Sequence, residues 1–152
     1  MMKDITHALP EDAATIIELQ RLACQSEAEL YNDFSIPPLT QTIEELRNEF
    51  TYKVILKIEI EGRIVGSVRG WKKGNTCFVG RLIVHPDFQD QGIGTALMEQ
   101  IELSFTQVQR FELFAGHKSE RNIHFYERLG YKIFKHQEIN KNLIFMFMEK
   151  QK

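Results

Sequence analysis

Two cysteines, four prolines and one tryptophan are all that these 152 residues hold of those three types. Cys24 and Cys77 stand far apart with no metal-ligand spacing, and they read as two reduced, buried thiols. The five histidines, His7, His85, His117, His124 and His136, are scattered, so no metal site is expected. No apolar run approaches the ~20 residues that span a bilayer. The opening Met1-Met2-Lys3-Asp4 lacks the apolar core of a signal peptide, so a cytoplasmic location without a membrane partner is the expectation. Positive charge is not in excess either. Lys and Arg number 19 against 21 Asp and Glu, a formal net charge of −2. That argues against a protein that holds nucleic acid by bulk electrostatics, while leaving room for a local basic patch. There is no internal repeat, low-complexity tract or linker. A single domain over 1–152 is expected, long enough to bury a good core.

What is present is ordinary in amount, 43% hydrophobic and 26% charged residues, and informative in order. Ile5 to Ala8 reads as a short strand. Pro10-Glu11-Asp12 opens a helix whose apolar side carries Ala13, Ile16, Ile17 and Ala23. Ser35-Ile36-Pro37-Pro38 breaks that region. Thr42 to Phe50 reads as a helix with Thr42 and Glu45 as a capping box. From Tyr52 the pattern alternates. Strands over Tyr52–Ile60, Arg63–Trp71 and Thr76–Val84, with turns at Glu61-Gly62 and Lys73-Gly74-Asn75, predict an antiparallel meander. A helix that opens at a glycine loop and continues through the amphipathic stretch Ala96–Val108, a strand Phe111–Ala115, a helix Glu120–Leu129 and strands Tyr131–Ile139 and Asn142–Glu149 follow, with Gly130 at a helix stop. This order predicts a mixed α/β fold, a mostly antiparallel sheet flanked by helices.

The most informative stretch is Gln89-Asp90-Gln91-Gly92-Ile93-Gly94-Thr95. It follows a strand and a His85-Pro86 break, and it opens a helix with two glycines in the first turn. Free backbone N–H groups, the helix dipole and the near absence of side chains make such a place an anion site. A Walker loop would need Lys and Ser or Thr after the last glycine, but Thr95-Ala96 stands there. A dinucleotide fingerprint would need a third glycine, where Leu97 stands.

Further along, Asn122-Ile123-His124-Phe125-Tyr126-Glu127-Arg128-Leu129-Gly130-Tyr131 supplies a second motif. Together, Gln-x-x-Gly-x-Gly after a strand and Asn followed by Phe-Tyr-Glu-x-Leu-Gly-Tyr resemble the two signatures of the GNAT superfamily of N-acetyltransferases. The resemblance covers about residues 52–150, and the first fifty match only in layout. It implies acetyl-CoA as co-substrate, no metal, and an amine of a small molecule or peptide as acceptor, attacking directly in a ternary complex. Gln89, Gln91, Gly92, Ile93, Gly94 and Thr95 then correspond to the pyrophosphate loop. Leu82, Ile83 and Val84 correspond to the strand edge that pairs with the pantetheine arm, beside a splay between two strands. Asn122 matches the residue that bonds the pantetheine or orders the helix start, and Tyr126 the general acid for the leaving thiolate. Asp90 is odd beside a diphosphate and is expected to face solvent.

The chain departs from the family pattern at the general base. A Glu is frequent on the strand before the loop; here Gly80 and Arg81 stand at those positions. Glu112, His117 or a water chain are the substitutes. The acceptor segment is acidic and aromatic, with Glu27, Glu29, Tyr31, Asp33 and Phe34, which suits a cationic amine or is a solvated face. Trp71 could line the same cleft or fill the core. A homodimer stays open. The missing carboxylate also keeps a second reading open, a non-catalytic acyl-CoA-binding or sensing module with a degenerate site.

Overall fold

A computed structural model describes residues 4–152; the opening Met1-Met2-Lys3 lies outside the described residues. Seven strands form one sheet in the order β1-β2-β3-β4-β5-β7-β6. They are β1 (Ile5–His7), β2 (Val54–Ile60), β3 (Arg63–Lys73), β4 (Thr76–Val84), β5 (Arg110–Gly116), β6 (Lys132–Asn140) and β7 (Leu143–Gln151). Every neighbouring pair is antiparallel except β4 with β5. The expected meander is present: two short turns, at Glu61-Gly62 and Gly74-Asn75, return the chain on itself. Among the described residues no helix is long and apolar enough to cross a membrane.

The helices are α1 (Ala13–Ala23), α2 (Gln25–Tyr31), α3 (Pro37–Thr40), α4 (Ile43–Glu49), α5 (Ile93–Leu103) and α6 (Glu120–Arg128). Thr42 caps α4 in both directions, its hydroxyl accepting from the Glu45 N–H while the Glu45 carboxylate accepts from the Thr42 N–H. Two expectations are corrected. Pro37 and Pro38 do more than break a helix. They start the one-turn α3, where a missing N–H has no intrahelical partner to lose. The amphipathic stretch expected over Ala96–Val108 is helical only to Leu103, while the helix opens at Ile93 behind the left-handed Gly92, with Gly94 in its first turn. At its far end the Ser104 N–H turns back onto the Gln100 and Ile101 carbonyls, which closes the helix.

α5 lies on one face of β2–β4. Leu56, Ile58, Val65, Val68, Cys77, Val79, Ile93, Leu97, Met98 and Ile101 form the main core between them. Gly66 and Gly70 let the helix approach: a Cβ would stand 3.0 Å from Leu97 at the first and 2.8 Å from Phe105 at the second. α1 and α4 cover the opposite face, where Ala13, Ile16, Ile17, Leu46 and Ile55 make a smaller core. Both cysteines are free, Cys77 buried and Cys24 partly so. The far sheet surface carries a three-phenylalanine cluster. Phe114, itself exposed, packs against Phe145 with 4.3 Å between ring centroids and against Phe147 at 5.8 Å.

Candidate active site

The sheet opens in its middle. β4 and β5 pair only from Thr76↔Arg110 to Phe78↔Glu112. Beyond that, β4 stays with β3, and β5 stays with β7 through Gly116↔Phe145. The N-terminal ends of both strands are therefore zipped and the C-terminal ends splay, leaving the Leu82–Val84 edge of β4 without a strand partner on that side. A bulge sits at the same point. Ser67 pairs with Ile83 and Arg69 with Gly80, so Arg81 and Leu82 together face the single Val68. Arg81 takes a left-handed conformation, φ 50°, at this bulge.

The splay leads into a cleft of 780 Å³. Leu82, Ile83 and Val84 line it from β4, and Gln89, Gly92, Ile93, Gly94 and Thr95 from the loop and the start of α5. Gly92 has φ 80°, with open space where a Cβ would stand. It is the α5 N-cap and offers no side chain to the helix start. Ala96 is the first N–H in this helix to reach back, onto the Gly92 carbonyl at 3.0 Å, so the Ile93, Gly94 and Thr95 N–H groups face the cleft mouth without intrahelical partners. A Cβ at Gly94 would stand 3.3 Å from the Phe125 ring, so α6 is seated against the loop. Asp90, expected to face solvent, is exposed but also stands in the cleft lining beside the loop glycines, and its carboxylate is held by the exposed Arg121. Arg121, Lys118 and Arg128 also line the cleft, together with the acidic Glu27, Asp90 and Glu120, so the lining is mixed in charge.

The opposite wall is built from α2 and the start of α6. The Lys118 N–H donates to the Tyr31 hydroxyl at 3.0 Å, and the Tyr31 and Ser119 hydroxyls are 3.0 Å apart. Ser119 donates to the Glu27 carboxylate at 2.9 Å, and the Asn122 amide donates to it at 3.1 Å. These bonds form one directed chain ending on a carboxylate, which is why the Ser119 hydroxyl does not cap its own helix. Burial pushes the Tyr31 phenol above its ordinary value, outweighing its bonds to Ser119 and Lys118, which act to lower it. Sequence reasoning missed Ser119 and the role of Glu27, although a Ser one residue before an acidic helix start was the available signal. Gly116 is the seat of this wall, since a Cβ there would fall 2.0 Å from the Tyr31 hydroxyl. Gly116→Ala is expected to destabilise the protein by about 1–3 kcal/mol, the usual cost of overpacking. Urea unfolding checks it, and adding Tyr31→Ala should recover part of the loss.

The remaining sequence candidates separate. Tyr126 is half-buried, packed between Phe125 at 5.2 Å and Tyr131 at 6.1 Å between ring centroids. Phe125, rather than Tyr126, is among the residues lining the cleft. Burial first, and the nearby Glu27 carboxylate second, hold the Tyr126 phenol above its ordinary value. Glu112 is outside the cleft and tied to Arg110 at 3.0 Å. His117 is outside it too, and its Nδ1 accepts the Ile144 N–H at 2.9 Å. Of the acidic residues on the acceptor side, Glu27 lines the cleft, whereas Asp33 turns back to Ser35 at 2.9 Å and borders a separate 300 Å³ hollow. Trp71 stacks on Phe78 at 5.8 Å, with Lys53 4.1 Å above its ring. Among the described residues no group of His, Cys, Asp and Glu is arranged to hold a metal ion.

Residues 51–133, more than half of the chain, match the family model described as an acetyltransferase (GNAT) domain. The chain belongs to this family. Its GNAT motifs coincide with the two elements that form the cleft mouth, the loop before α5 and the helix α6. An acetyltransferase of Pectobacterium atrosepticum is 33% identical over 93 residues, a match that spans 60% of this chain and 66% of that protein. Among solved structures, the PaiA N-acetyltransferase from Thermoplasma acidophilum in complex with coenzyme A superposes with a TM-score of 0.82 at 19% identity, over 100% of both chains. The ribosomal-protein-S18-alanine N-acetyltransferase from Escherichia coli gives 0.80 at 16% identity, over 99% of this chain and 94% of that one. At those identities the two structures establish a shared GNAT fold.

Proposed function

We propose that this protein moves the acetyl group of acetyl-CoA to a primary amine of a small molecule or peptide. Both substrates bind together and the amine attacks directly. One observation carries the reading: an unpaired strand edge ends at a helix start with free N–H groups and no side chain in the way. A long ligand with a diphosphate at one end and amides along its arm fits both parts. The PaiA relative was solved holding coenzyme A, which supports the same ligand here.

In this reading acetyl-CoA supplies an activated acetyl thioester, and every other task falls to the chain. The Ile93, Gly94 and Thr95 N–H groups, with the loop residues Gln89, Gln91 and Gly92, hold the diphosphate against the α5 dipole. Leu82, Ile83 and Val84 take the pantetheine amides as an added strand, and the N–H near Ile83 polarises the thioester carbonyl. Asn122 sits beside the arm while its amide is spent on Glu27. Tyr126 keeps a proton at neutral pH for the leaving thiolate. Glu112 and His117 are committed elsewhere, so water in the cleft is favoured as the route by which the amine loses its proton.

The pH profile follows from these assignments. A general acid must stay protonated, and the Tyr126 phenol, held above its ordinary value, does so through and beyond the ordinary phenol range near 10. The amine must be deprotonated. Turnover at saturating acetyl-CoA is therefore expected to rise with pH from about 6 to 9, with no alkaline fall below about 10. A descending limb between pH 8 and 9 would remove Tyr126 from the acid role. The reading as a whole is tested by supplying acetyl-CoA with a broad amine and peptide panel, following free thiol, and identifying the N-acetyl product by mass. Acetyl-CoA binding with no acetylated amine across the panel would leave the acyl-CoA-binding module in its place.

A further inference from the structure

Three carboxylates line the cleft, those of Glu27, Asp90 and Glu120. Asp90 is neutralised by Arg121 beside the loop glycines. Glu120 is exposed at the start of α6. Glu27 differs from both. It is partly buried, and it makes no ion pair among the described residues. Its partners are neutral donors. The Ser119 hydroxyl stands 3.0 Å from Oε1 and 2.9 Å from Oε2, and the Asn122 amide donates to Oε1 at 3.1 Å. A carboxylate has about four lone-pair sites. The bonds from Ser119 and Asn122 therefore fix its orientation and still leave room for a further donor.

The surroundings keep this anion open to a cation from outside. The titratable groups within its electrostatic reach are Cys24, Tyr31 and Tyr126, and burial raises all three, which keeps them protonated and neutral. Of the basic residues on the cleft, Lys118 is turned over the Tyr31 ring, 6.0 Å from its centroid. Arg121 is committed to Asp90, and Arg128 stands at the other end of α6. Position completes the case. Glu27 lies on the α2 wall, and the Leu82–Val84 edge of β4 lines the same cleft. Tyr126 is close enough for the Glu27 charge to raise its phenol. In acyl transfer the attacking nitrogen and the leaving sulfur share one carbon. The group that deprotonates the first and the group that protonates the second must therefore stand close together. Glu27 and Tyr126 meet that requirement.

We propose that Glu27 is the general base of the acetyl transfer, receiving the acceptor's proton through a water in the cleft. This rests on the acetyl-transfer reading and completes its proton path. The carboxylate that Gly80 and Arg81 do not supply on β4 comes from α2 instead. One proton passes from the acceptor ammonium to the water and on to the Glu27 carboxylate, which returns it to solvent. The nitrogen, now with a free electron pair, attacks the thioester carbonyl carbon and forms the C–N bond. The C–S bond breaks, and its electron pair leaves on sulfur. The sulfur takes the Tyr126 proton, and Tyr126 regains one from the attacking nitrogen. Ser119 and Asn122 are positioning residues, because they aim the carboxylate and carry no proton to or from substrate.

The test compares an alkylamine acceptor with its matched alkoxyamine, which is already neutral at neutral pH. Free-thiol release gives kcat and KM. Glu27→Gln keeps the shape of the side chain and can still accept from Ser119. It should lower kcat on the alkylamine by about 10²-fold near neutral pH. The gap should close as the pH is raised to about 10, where an alkylamine loses its proton unaided. On the alkoxyamine the two proteins should turn over within a few-fold of each other. Acetyl-CoA affinity by calorimetry and the melting temperature should stay near wild type, and Glu27→Asp should recover part of the loss. Equal kcat of wild type and Glu27→Gln on the alkylamine overturns the proposal while acetyl transfer stands. A defect that is the same for both acceptors and flat with pH marks Glu27 as structural and also overturns it. So does a rise in acceptor KM with kcat unchanged, which marks a docking carboxylate. Ser119→Ala loosens the carboxylate without removing it, and should show the same dependence on amine basicity in weaker form. If Glu27→Gln does not fold, absence of that dependence in Ser119→Ala overturns the proposal. Wild type that binds acetyl-CoA yet releases no thiol with any amine defeats the acetyl-transfer reading itself, and the base with it.

Discussion

Gly92→Glu is expected to weaken acetyl-CoA binding by about a hundredfold or more while the fold survives. Two effects add. Gly92 sits at φ 80°, which a side-chain-bearing residue adopts only with strain, so the loop shifts and its N–H groups lose their aim. The new carboxylate also projects into open space at the cleft mouth, where the diphosphate is proposed to lie. Losing two charge-assisted hydrogen bonds at about 1.5 kcal/mol each already accounts for that factor. Because nothing lies within 4 Å of the added Cβ, the core is untouched. Calorimetry with acetyl-CoA is the measurement, with Gly92→Ala as the control that separates backbone strain from charge. An unchanged affinity in the Glu variant would place the diphosphate elsewhere.

Tyr126→Phe should lower kcat by about 10²–10⁴-fold, the span typical of a lost general acid, with little change in acetyl-CoA affinity. The substitution is a clean one in this structure. The ring contacts to Phe125 and Tyr131 remain, and the hydroxyl that disappears has no hydrogen-bond partner among the described residues. Melting temperature should therefore stay within a degree or two of wild type, and a large fall would mean that the hydroxyl is structural. Equal turnover of the two proteins on a good acceptor would reject the role. Tyr126 is not itself a lining residue of the cleft, so the same comparison also decides whether its hydroxyl reaches the sulfur when substrates are bound.

How much of this was legible beforehand depended on how local the determinant is. The meander from Tyr52 to Val84 could be read because alternation and two short turns act over neighbouring residues. The same is true of the Thr42–Glu45 box, whose partners are three residues apart. Helix edges were read less well. The helix opened among the loop glycines as expected, but the amphipathic pattern carried it to Val108, whereas it closes at Leu103. The turn at Ser35–Pro38 was read as a break, whereas proline is tolerated in a first helical turn.

By itself the amino-acid order determined the anion-ready loop Gln89–Thr95, the Phe125-Tyr126 helix after it, and through these two motifs the family. Each is written in contiguous residues whose backbone preferences are their own. Only the tertiary structure decided which side chains meet. Glu27 finds Ser119 and Asn122 from more than ninety positions away, and Arg69 reaches back forty-nine to Gln20. Glu112, a candidate base on paper, is drawn off to Arg110. Arg81 reads on paper as the absence of the usual carboxylate, and the sheet register sets it in the bulge opposite Val68. The physical reason is the bulge opposite Val68. One extra residue in β4 changes which face every later side chain takes, and that register is set by pairing with β3 rather than by any local preference of β4.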